Sequence, residues 1–164
     1  MCFQNITFVP LLIAGFLFMA KEISNRQAYF NYHIEDKYVA GVVLLGTEVK
    51  SIRDGKVSFN DAFCLFEKKE LWLRGMYIAE YSHGTANNHI AVHDRKLLLT
   101  KRELKRLQQS LKEKGLTIVP LKVFFTEKSL VKVEIGLGKG KKLHDKRDTI
   151  KQRDTEREIK RYLK

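Results

Sequence analysis

Short apolar segments separated by turn signals fill the middle of the chain, and they limit its fold more than any other feature. The segments are rich in Val, Ile, Leu and aromatic residues, and they lie at Tyr38–Leu45, Glu48–Ile52, Ala62–Phe66 and Leu71–Tyr81. Pairs such as Gly46-Thr47 and Asp54-Gly55 separate them, as is typical of tight turns. The pattern predicts a meander of antiparallel strands.

A second pair of strands is predicted at Leu116–Phe125 and Leu130–Ile135, on either side of a polar turn. Along the latter strand, apolar and charged residues alternate, so one face is expected in a core and the other in solvent. Pro120 has no backbone N–H to donate, so it marks an edge or a bulge. About six short strands predict a small, closed or nearly closed antiparallel barrel, of which the oligonucleotide-binding type is one form.

One helix is clearly predicted after the meander. Thr100 and Glu103 form a capping box, Gly115 is placed to end the helix, and the apolar face carries Leu104, Leu107 and Leu111. Its outer face is basic, which suits either a solvated surface or a surface that faces RNA. A weaker helix is predicted around Ser24–Phe30. The fold class is therefore mainly β with peripheral helices.

The last 26 residues, Lys139–Lys164, concentrate the basic charge. They hold eleven Lys or Arg and five Asp or Glu, which accounts for half of the net charge of +12. Apolar residues are too sparse there to bury a face, while opposite charges at helical spacing support a helix. We expect residues 138–164 to form a basic tail, disordered when free and helical on a polyanion. A solubilising tail without a partner is the alternative.

The first twenty residues carry no charged side chain. They lack the basic start of a signal peptide, and Pro10 and Gly15 interrupt the apolar run before it reaches the ~20 residues of a membrane span. Met19-Ala20-Lys21 begins a polar stretch in the ordinary way of a protein start. We expect residues 1–18 to be an upstream extension of the reading frame, with an apolar leader or membrane anchor as the alternative.

Catalytic and metal-binding patterns are weak in this sequence. Cys64 lies in an apolar segment, where a small buried side chain is the usual role. His89 and His93 are four residues apart but have no third ligand. The stretch 136–141 lacks the Gly-Lys-Ser/Thr ending of a phosphate loop, and we interpret it as a flexible basic hinge. We expect a binding protein, not an enzyme, with no metal and no cofactor.

Five motifs follow one another in a specific order along the chain. They are Asn25-Arg26-Gln27-Ala28, Tyr38-Val39-Ala40-Gly41, Gly46-Thr47-Glu48-Val49-Lys50-Ser51-Ile52-Arg53, Arg95-Lys96-Leu97-Leu98-Leu99 and Lys139-Gly140-Lys141-Lys142-Leu143-His144-Asp145-Lys146-Arg147. Together, over about Ala20 to Lys164, they resemble the small protein B family, the SsrA-binding proteins. Two positions depart from the family pattern, since Val39 stands in place of a glutamate and His33 in place of a phenylalanine.

This resemblance implies an oligonucleotide-binding-type barrel over residues 19–137. Family members bind the tRNA-like domain of transfer-messenger RNA and deliver it to the A site of a ribosome stalled on a message without a stop codon. The RNA-binding residues implied here are Asn25, Arg26, Glu48, Lys50, Ser51, Arg53, Arg95, Lys96 and Leu98. Lys and Arg would meet phosphates, because structured RNA is recognised mainly through its backbone, loops and exposed bases. For Glu48 and Leu98, a structural role is the alternative.

The tail resembles the part of the family that acts at the decoding centre and in the mRNA channel of the small ribosomal subunit. This role is implied for Lys139, Gly140, Lys141, Lys142, His144, Asp145, Lys146, Arg147, Lys151 and Arg153. His144 would stack on a base, and a helical tail could enter the channel only where message is absent.

The implied partners are transfer-messenger RNA and the ribosome. We expect a cytoplasmic monomer without stable membrane association. The alternative function is a general ribosome-associated RNA-binding or RNA-chaperone barrel, which would bind many structured RNAs about equally.

Overall fold

The computed structural model describes residues 22–84 and 88–142, and in the tail residues 151, 154–155, 158–159 and 161–162. In chain order the elements are β1 (Ile23–Ser24), α1 (Arg26–Asn31), β2 (Tyr32–Val42), α2 (Gly46–Arg53), β3 (Val57–Ser58), β4 (Phe63–Glu67), β5 (Glu70–Arg74), β6 (Tyr77–Ile78), β7 (Arg95–Leu98), α3 (Lys101–Lys114), β8 (Thr117–Phe125) and β9 (Val131–Gly140).

Six of these strands close into an antiparallel barrel. Their order around the ring is β8-β4-β5-β7-β2-β9, and β9 pairs back onto β8. The long seam between β2 and β9 runs from Tyr32 opposite Gly140 to Gly41 opposite Lys132. Outside the ring, β1 pairs with β8, and β3 pairs with β6. The predicted mainly β barrel of about six strands is confirmed.

The inward and outward faces of the barrel follow the alternation in the sequence. In β9, Val133 and Ile135 are fully buried, while Lys132 and Glu134 between them are partly exposed. The pairing of β8 with β9 shifts its register between Pro120 and Lys122, so Pro120 lies at a bulge as predicted. Burial of apolar side chains inside the ring supplies the main driving force for this fold.

The helix α3 matches its prediction closely. The Thr100 hydroxyl accepts a hydrogen bond from the backbone N–H of Glu103, and the Glu103 carboxylate accepts one from the N–H of Thr100. Hydrogen bonds from Thr100 lower the pKa of Glu103 below its ordinary value. Gly115 ends the helix with a φ of 57°, a left-handed conformation in which glycine carries no penalty.

One predicted strand is wrong, and another is wrong in part. Glu48–Ile52 belongs to the helix α2, in which Ser51 and Ile52 are buried. The predicted strand Leu71–Tyr81 is divided, because Gly75 has a φ of 73° and breaks it into β5 and β6, which belong to different sheets. The backbone of Gly75 passes so close to Asp61 that a Cβ atom at Gly75 would lie 2.4 Å from the Asp61 carbonyl oxygen.

The end of the barrel also differs from the prediction. The stretch interpreted as a flexible hinge is the second half of β9, which pairs with β2 as far as Gly140. The last strand therefore reaches into the range predicted as tail. Where the structure describes the tail, at positions such as Lys151, Glu158 and Arg161, the backbone is helical and the side chains are exposed.

The N-terminal expectations for residues 1–18 lie outside the described residues. Within the part of the chain that the structure does describe, no helix combines the length and apolar character needed to cross a membrane.

The packing of α3 generates a stability prediction. Leu107 is fully buried against the barrel core. Leu107→Ala should lower the free energy of unfolding by about 2–5 kcal/mol, since it removes buried methyl groups and leaves a cavity. Lys105→Ala, an exposed change on the same helix, should alter it by less than about 0.5 kcal/mol. Urea unfolding of both variants is the measurement, and equal stabilities would contradict the packing of α3 on the barrel.

Candidate nucleic-acid interface

A buried ion pair joins helix α2 to strand β7. The side chains of Glu48 and Arg95 are both fully buried. One Glu48 oxygen, Oε1, accepts from Nε of Arg95 at 2.7 Å and lies 2.7 Å from Nη2 in the same ion pair. Its other oxygen accepts from the backbone N–H of Leu45 at 2.8 Å, which closes the first turn of α2. The paired guanidinium thus also fixes where α2 begins.

The rest of the Arg95 guanidinium binds backbone carbonyls. Its Nη1 donates to the carbonyl of Met76 at 2.6 Å and to that of His93 at 3.2 Å. Its Nη2 donates to the carbonyl of Ala91 at 3.3 Å. A buried charge is tolerated only when such bonds satisfy it, and Arg95 meets this condition with four separate partners.

Two further residues predicted to bind RNA are also buried. Asn25 caps α1, with its side-chain oxygen accepting from the N–H of Ala28 at 3.1 Å and its amide donating to the carbonyl of Pro120 at 2.9 Å. Ser51 is fully buried, and its hydroxyl has no hydrogen-bond partner among the described residues. Glu48, Ser51 and Arg95 are almost completely buried, so none of these three can touch a polyanion in this conformation, whereas Asn25 keeps 7% exposure.

The exposed face of α2 carries two cations supported by aromatic rings. The ammonium of Lys50 lies 5.0 Å from the ring centre of Tyr81, and the guanidinium of Arg53 lies 5.7 Å from that of Phe125. Such contacts orient a cation without neutralising it. Both charges remain accessible to phosphate groups.

The remaining predicted residues lie at separate places on the surface. Arg26 is exposed on α1. Lys96 forms an ion pair with Glu70 on the neighbouring strand, which competes with any phosphate for its charge. Leu98 is half exposed and contacts Gly41, where a Cβ atom would lie 3.3 Å from that of Leu98. The structure brings Glu48, Lys50, Ser51, Arg53 and Arg95 together and leaves Asn25 with Arg26 as a second group.

The root of the tail is attached to α1. The backbone N–H of Lys141 donates to the carbonyl of Asn31 at 2.8 Å, and its ammonium donates to the carbonyl of Tyr29 at 3.3 Å. Lys139, Gly140 and Lys142 are exposed beside it, and Lys151 is exposed further along. His144, Asp145, Lys146, Arg147 and Arg153 lie outside the described residues.

Cys64 and His89, which were considered for catalysis and metal binding, are both buried in the fold. Burial raises the pKa of the Cys64 thiol well above its ordinary value, so the thiolate is suppressed. The ring of His89 is buried between the Thr47 hydroxyl, 2.9 Å from Nδ1, and the Ile78 carbonyl, 3.2 Å from Nε2. Throughout the described ranges, no cluster of three potential metal ligands is present.

The comparison with known proteins now identifies the family. A family model described as SmpB protein matches residues 22–164, which includes both the barrel and the tail. The chain belongs to the SmpB family. The family predicted from the five motifs is therefore confirmed.

Similar SmpB-family proteins come from several bacteria. The SsrA-binding protein of Parabacteroides distasonis is 52% identical over 143 residues, covering 87% of this chain and 94% of that one. The SsrA-binding protein of Fervidobacterium nodosum is 47% identical over 141 residues, covering 86% and 95%. A chain in a solved structure described as "tmRNA-SmpB: a journey to the center of the bacterial ribosome" is 48% identical with a TM-score of 0.64, covering 74% of this chain and 85% of that chain.

Sequence reasoning within the SmpB motifs left a structural role open for Glu48 and Leu98 and did not identify Asn25, Ser51 and Arg95 as supporting residues; Glu48 is buried as that alternative requires, and Leu98 is half exposed. In β7 the signal was present, because strand alternation places Arg95 and Leu97 inward and Lys96 and Leu98 outward, as observed. The aromatic partners Tyr81 and Phe125 were missed, since each is far from α2 in sequence and nothing local indicates the contact.

The buried ion pair generates a second stability prediction. Arg95→Met leaves the Glu48 carboxylate buried without its cation and should cost about 3–5 kcal/mol in the free energy of unfolding. The adjacent change Lys96→Met breaks only a partly exposed pair and should cost less than about 1 kcal/mol. Chemical denaturation measures the free energy of unfolding of both variants. Adding Glu48→Met to Arg95→Met should recover part of the lost stability, because no unpaired charge then stays buried. An Arg95→Met protein as stable as Lys96→Met would contradict the role of the pair.

Proposed function

We propose that this protein is the RNA-binding adaptor of trans-translation. It binds the tRNA-like domain of transfer-messenger RNA and delivers it to the A site of ribosomes stalled on messages without a stop codon. The observation that carries this proposal is the SmpB-family match across residues 22–164, in which barrel and tail are covered together. Relatives at about half identity over nearly their whole length bear the name SsrA-binding protein, which supports the same RNA as partner.

The barrel is the part that we propose for binding the tRNA-like domain. Lys50 and Arg53 on α2 and Arg26 on α1 are exposed basic residues, suited to phosphate contacts. Glu48, Ser51, Arg95 and Asn25 would act on RNA indirectly, because they are buried and hold α1 and α2 in place. Lys96 would contribute less than Arg53, since Glu70 already compensates its charge.

The tail, proposed as residues 138–164, would act in the ribosome. Its described positions from Lys151 onward are helical and exposed, with Tyr162 at 90% exposure, so these positions do not pack on the barrel core. A basic helix of this kind suits a channel lined by rRNA phosphates. It would enter the mRNA channel only where no message occupies it, and this exclusion would select stalled ribosomes.

The proposal describes a cytoplasmic binding protein that acts as a monomer and carries out no reaction of its own. Delivery requires only that the barrel bind the tRNA-like domain while the tail recognises an mRNA channel without message. Variants of the barrel and of the tail can test these two roles separately.

The first functional prediction concerns the exposed face of α2. Arg53→Ala should weaken binding to the tRNA-like domain and lower the slope of log affinity against log salt by about one unit, because the variant makes one phosphate contact fewer. Lys96→Ala should have a smaller effect on both. Lys128→Ala, an exposed change at the β8–β9 turn, serves as the matched control. Filter binding across a salt series measures all three, and an unchanged affinity and slope for Arg53→Ala would place α2 outside the interface.

The second functional prediction separates RNA binding from ribosome rescue. Removing Lys142–Lys164 should leave affinity for isolated transfer-messenger RNA within about tenfold, or ~1.4 kcal/mol, because the barrel provides that surface. Peptide tagging of stalled chains should nevertheless be abolished. If the truncated chain loses both RNA binding and tagging, the tail is part of the surface that binds transfer-messenger RNA. If the truncated chain retains tagging, the tail has no decoding role.

A further inference from the structure

A small cavity of about 130 Å³ opens between helix α1 and the turn that precedes β4. Its floor consists of the buried side chains of Ala28, Ala62 and Val119, and the aromatic side chains of Tyr32 and Phe59 also line it. A floor of small apolar groups beside aromatic rings is suited to a flat ring system, and base–aromatic stacking is a general device of RNA-binding proteins.

The remaining lining of the cavity is polar. Gln27 and Asn31 are four residues apart on α1, so their carboxamides lie on the same side of the helix. Asp61 adds a carboxylate. Within residues 22–84 and 88–142, the side chains of Gln27, Asn31 and Asp61 form no hydrogen bond or ion pair, so their donors and acceptors are available to a ligand.

The turn that carries Asp61 is held in an uncommon conformation. The N–H of Ala62 donates to the carbonyl of Phe59 at 3.0 Å, and Asp61, the third residue of this turn, has a φ of 60°. A positive φ is unusual for a residue other than glycine, though Asp and Asn adopt it more readily than most. The backbone of Gly75 packs directly against Asp61 and leaves the turn no room to relax in that direction.

Basic residues lie near the cavity. The N–H of Lys141 donates to the carbonyl of Asn31, so the root of the basic tail passes beside the polar lining, and Arg26 is an exposed cation on the same helix α1. A ligand with a planar polar ring and an adjacent phosphate would satisfy both the cavity and these cations. An unpaired nucleotide of an RNA has this chemistry.

The polar groups favour one base. Guanine presents two neighbouring N–H donors, at N1 and N2, which match the two oxygens of one carboxylate, and an acceptor at O6, which matches a carboxamide NH₂. Adenine and cytosine offer a single amino group beside an acceptor nitrogen. Uracil flanks its N–H with carbonyl oxygens, which would repel Asp61.

We propose that this cavity binds one unpaired guanine of the RNA, with Asp61 accepting from its N1 and N2 and Gln27 or Asn31 donating to its O6. The inference rests on the proposed function, since it assumes that the protein works on RNA. The guanine can belong to the tRNA-like domain or to the ribosomal RNA, and the same experiment distinguishes these two sources.

The test uses kethoxal, which modifies N1 and N2 of unpaired guanines, the atoms assigned to Asp61. The full chain at saturating concentration is probed on a transcript of the tRNA-like domain, and then with that transcript on ribosomes that have an empty A site. Asp61→Asn is the informative variant, because Asn tolerates the left-handed conformation but places an NH₂ where guanine also donates. Glu127→Gln removes the same charge from an exposed position at the β8–β9 turn and is the control.

One guanine should be protected by the unchanged chain and by Glu127→Gln but modified in the presence of Asp61→Asn. The RNA that contains this guanine identifies the source. On that RNA, Asp61→Asn should weaken binding about tenfold, the lower range for one bidentate base contact. Inosine in place of the guanine lacks the N2 amino group. This replacement should weaken RNA binding by the unchanged chain but leave RNA binding by Asp61→Asn unaffected.

Identical protection by all three proteins on both RNAs would overturn the guanine site. Loss of every protection by a folded Asp61→Asn at saturation would also overturn it, because one base contact cannot carry the whole affinity. An unchanged chain that protects no nucleotide of the tRNA-like domain would instead overturn the proposed function.

Discussion

The ion pair between Glu48 and Arg95 is the interaction on which the candidate interface depends. It links α2 to β7, and the side chains of both partners are buried. Glu48 also closes the first turn of α2, and Arg95 also binds the carbonyl of Met76 ahead of β6. Moving two charges from water into the protein interior costs free energy. A buried ion pair therefore stabilises the position of its helix and strand only when hydrogen bonds satisfy its donors and acceptors. Here that arrangement presents Lys50 and Arg53 on the exposed face of α2.

The elements that local sequence determines were predicted well. The alternation in β9, the bulge at Pro120 and the capped helix α3 all depend on residues close together in the chain. The helix α2 was missed because its apolar residues Val49 and Ile52 also suit a strand, and its start is fixed by Arg95, 47 positions away from Glu48. Tertiary contacts of this kind override local preference. The motifs identified the family, but burial decided which of their residues face solvent.

The path of the chain through the barrel connects its two proposed tasks. The strand β9 pairs with both β2 and β8, so it closes the ring before it leads into the tail. The first residues after it are tied to α1 through Lys141, which places the start of the basic tail beside Asn31 in the lining of the cavity at Asp61. In the proposed function, the barrel would hold one RNA while the tail that starts at its edge would act on another.

The RNA bound to the protein in cells tests the central claim most directly. The full chain should be purified from its own cells under gentle salt conditions and its RNA sequenced, with the Arg53→Ala protein purified in parallel. The account predicts one dominant RNA that carries a tRNA-like domain, in reduced yield with Arg53→Ala. A mixture of many structured RNAs without such a species would contradict it and favour a general RNA-binding barrel.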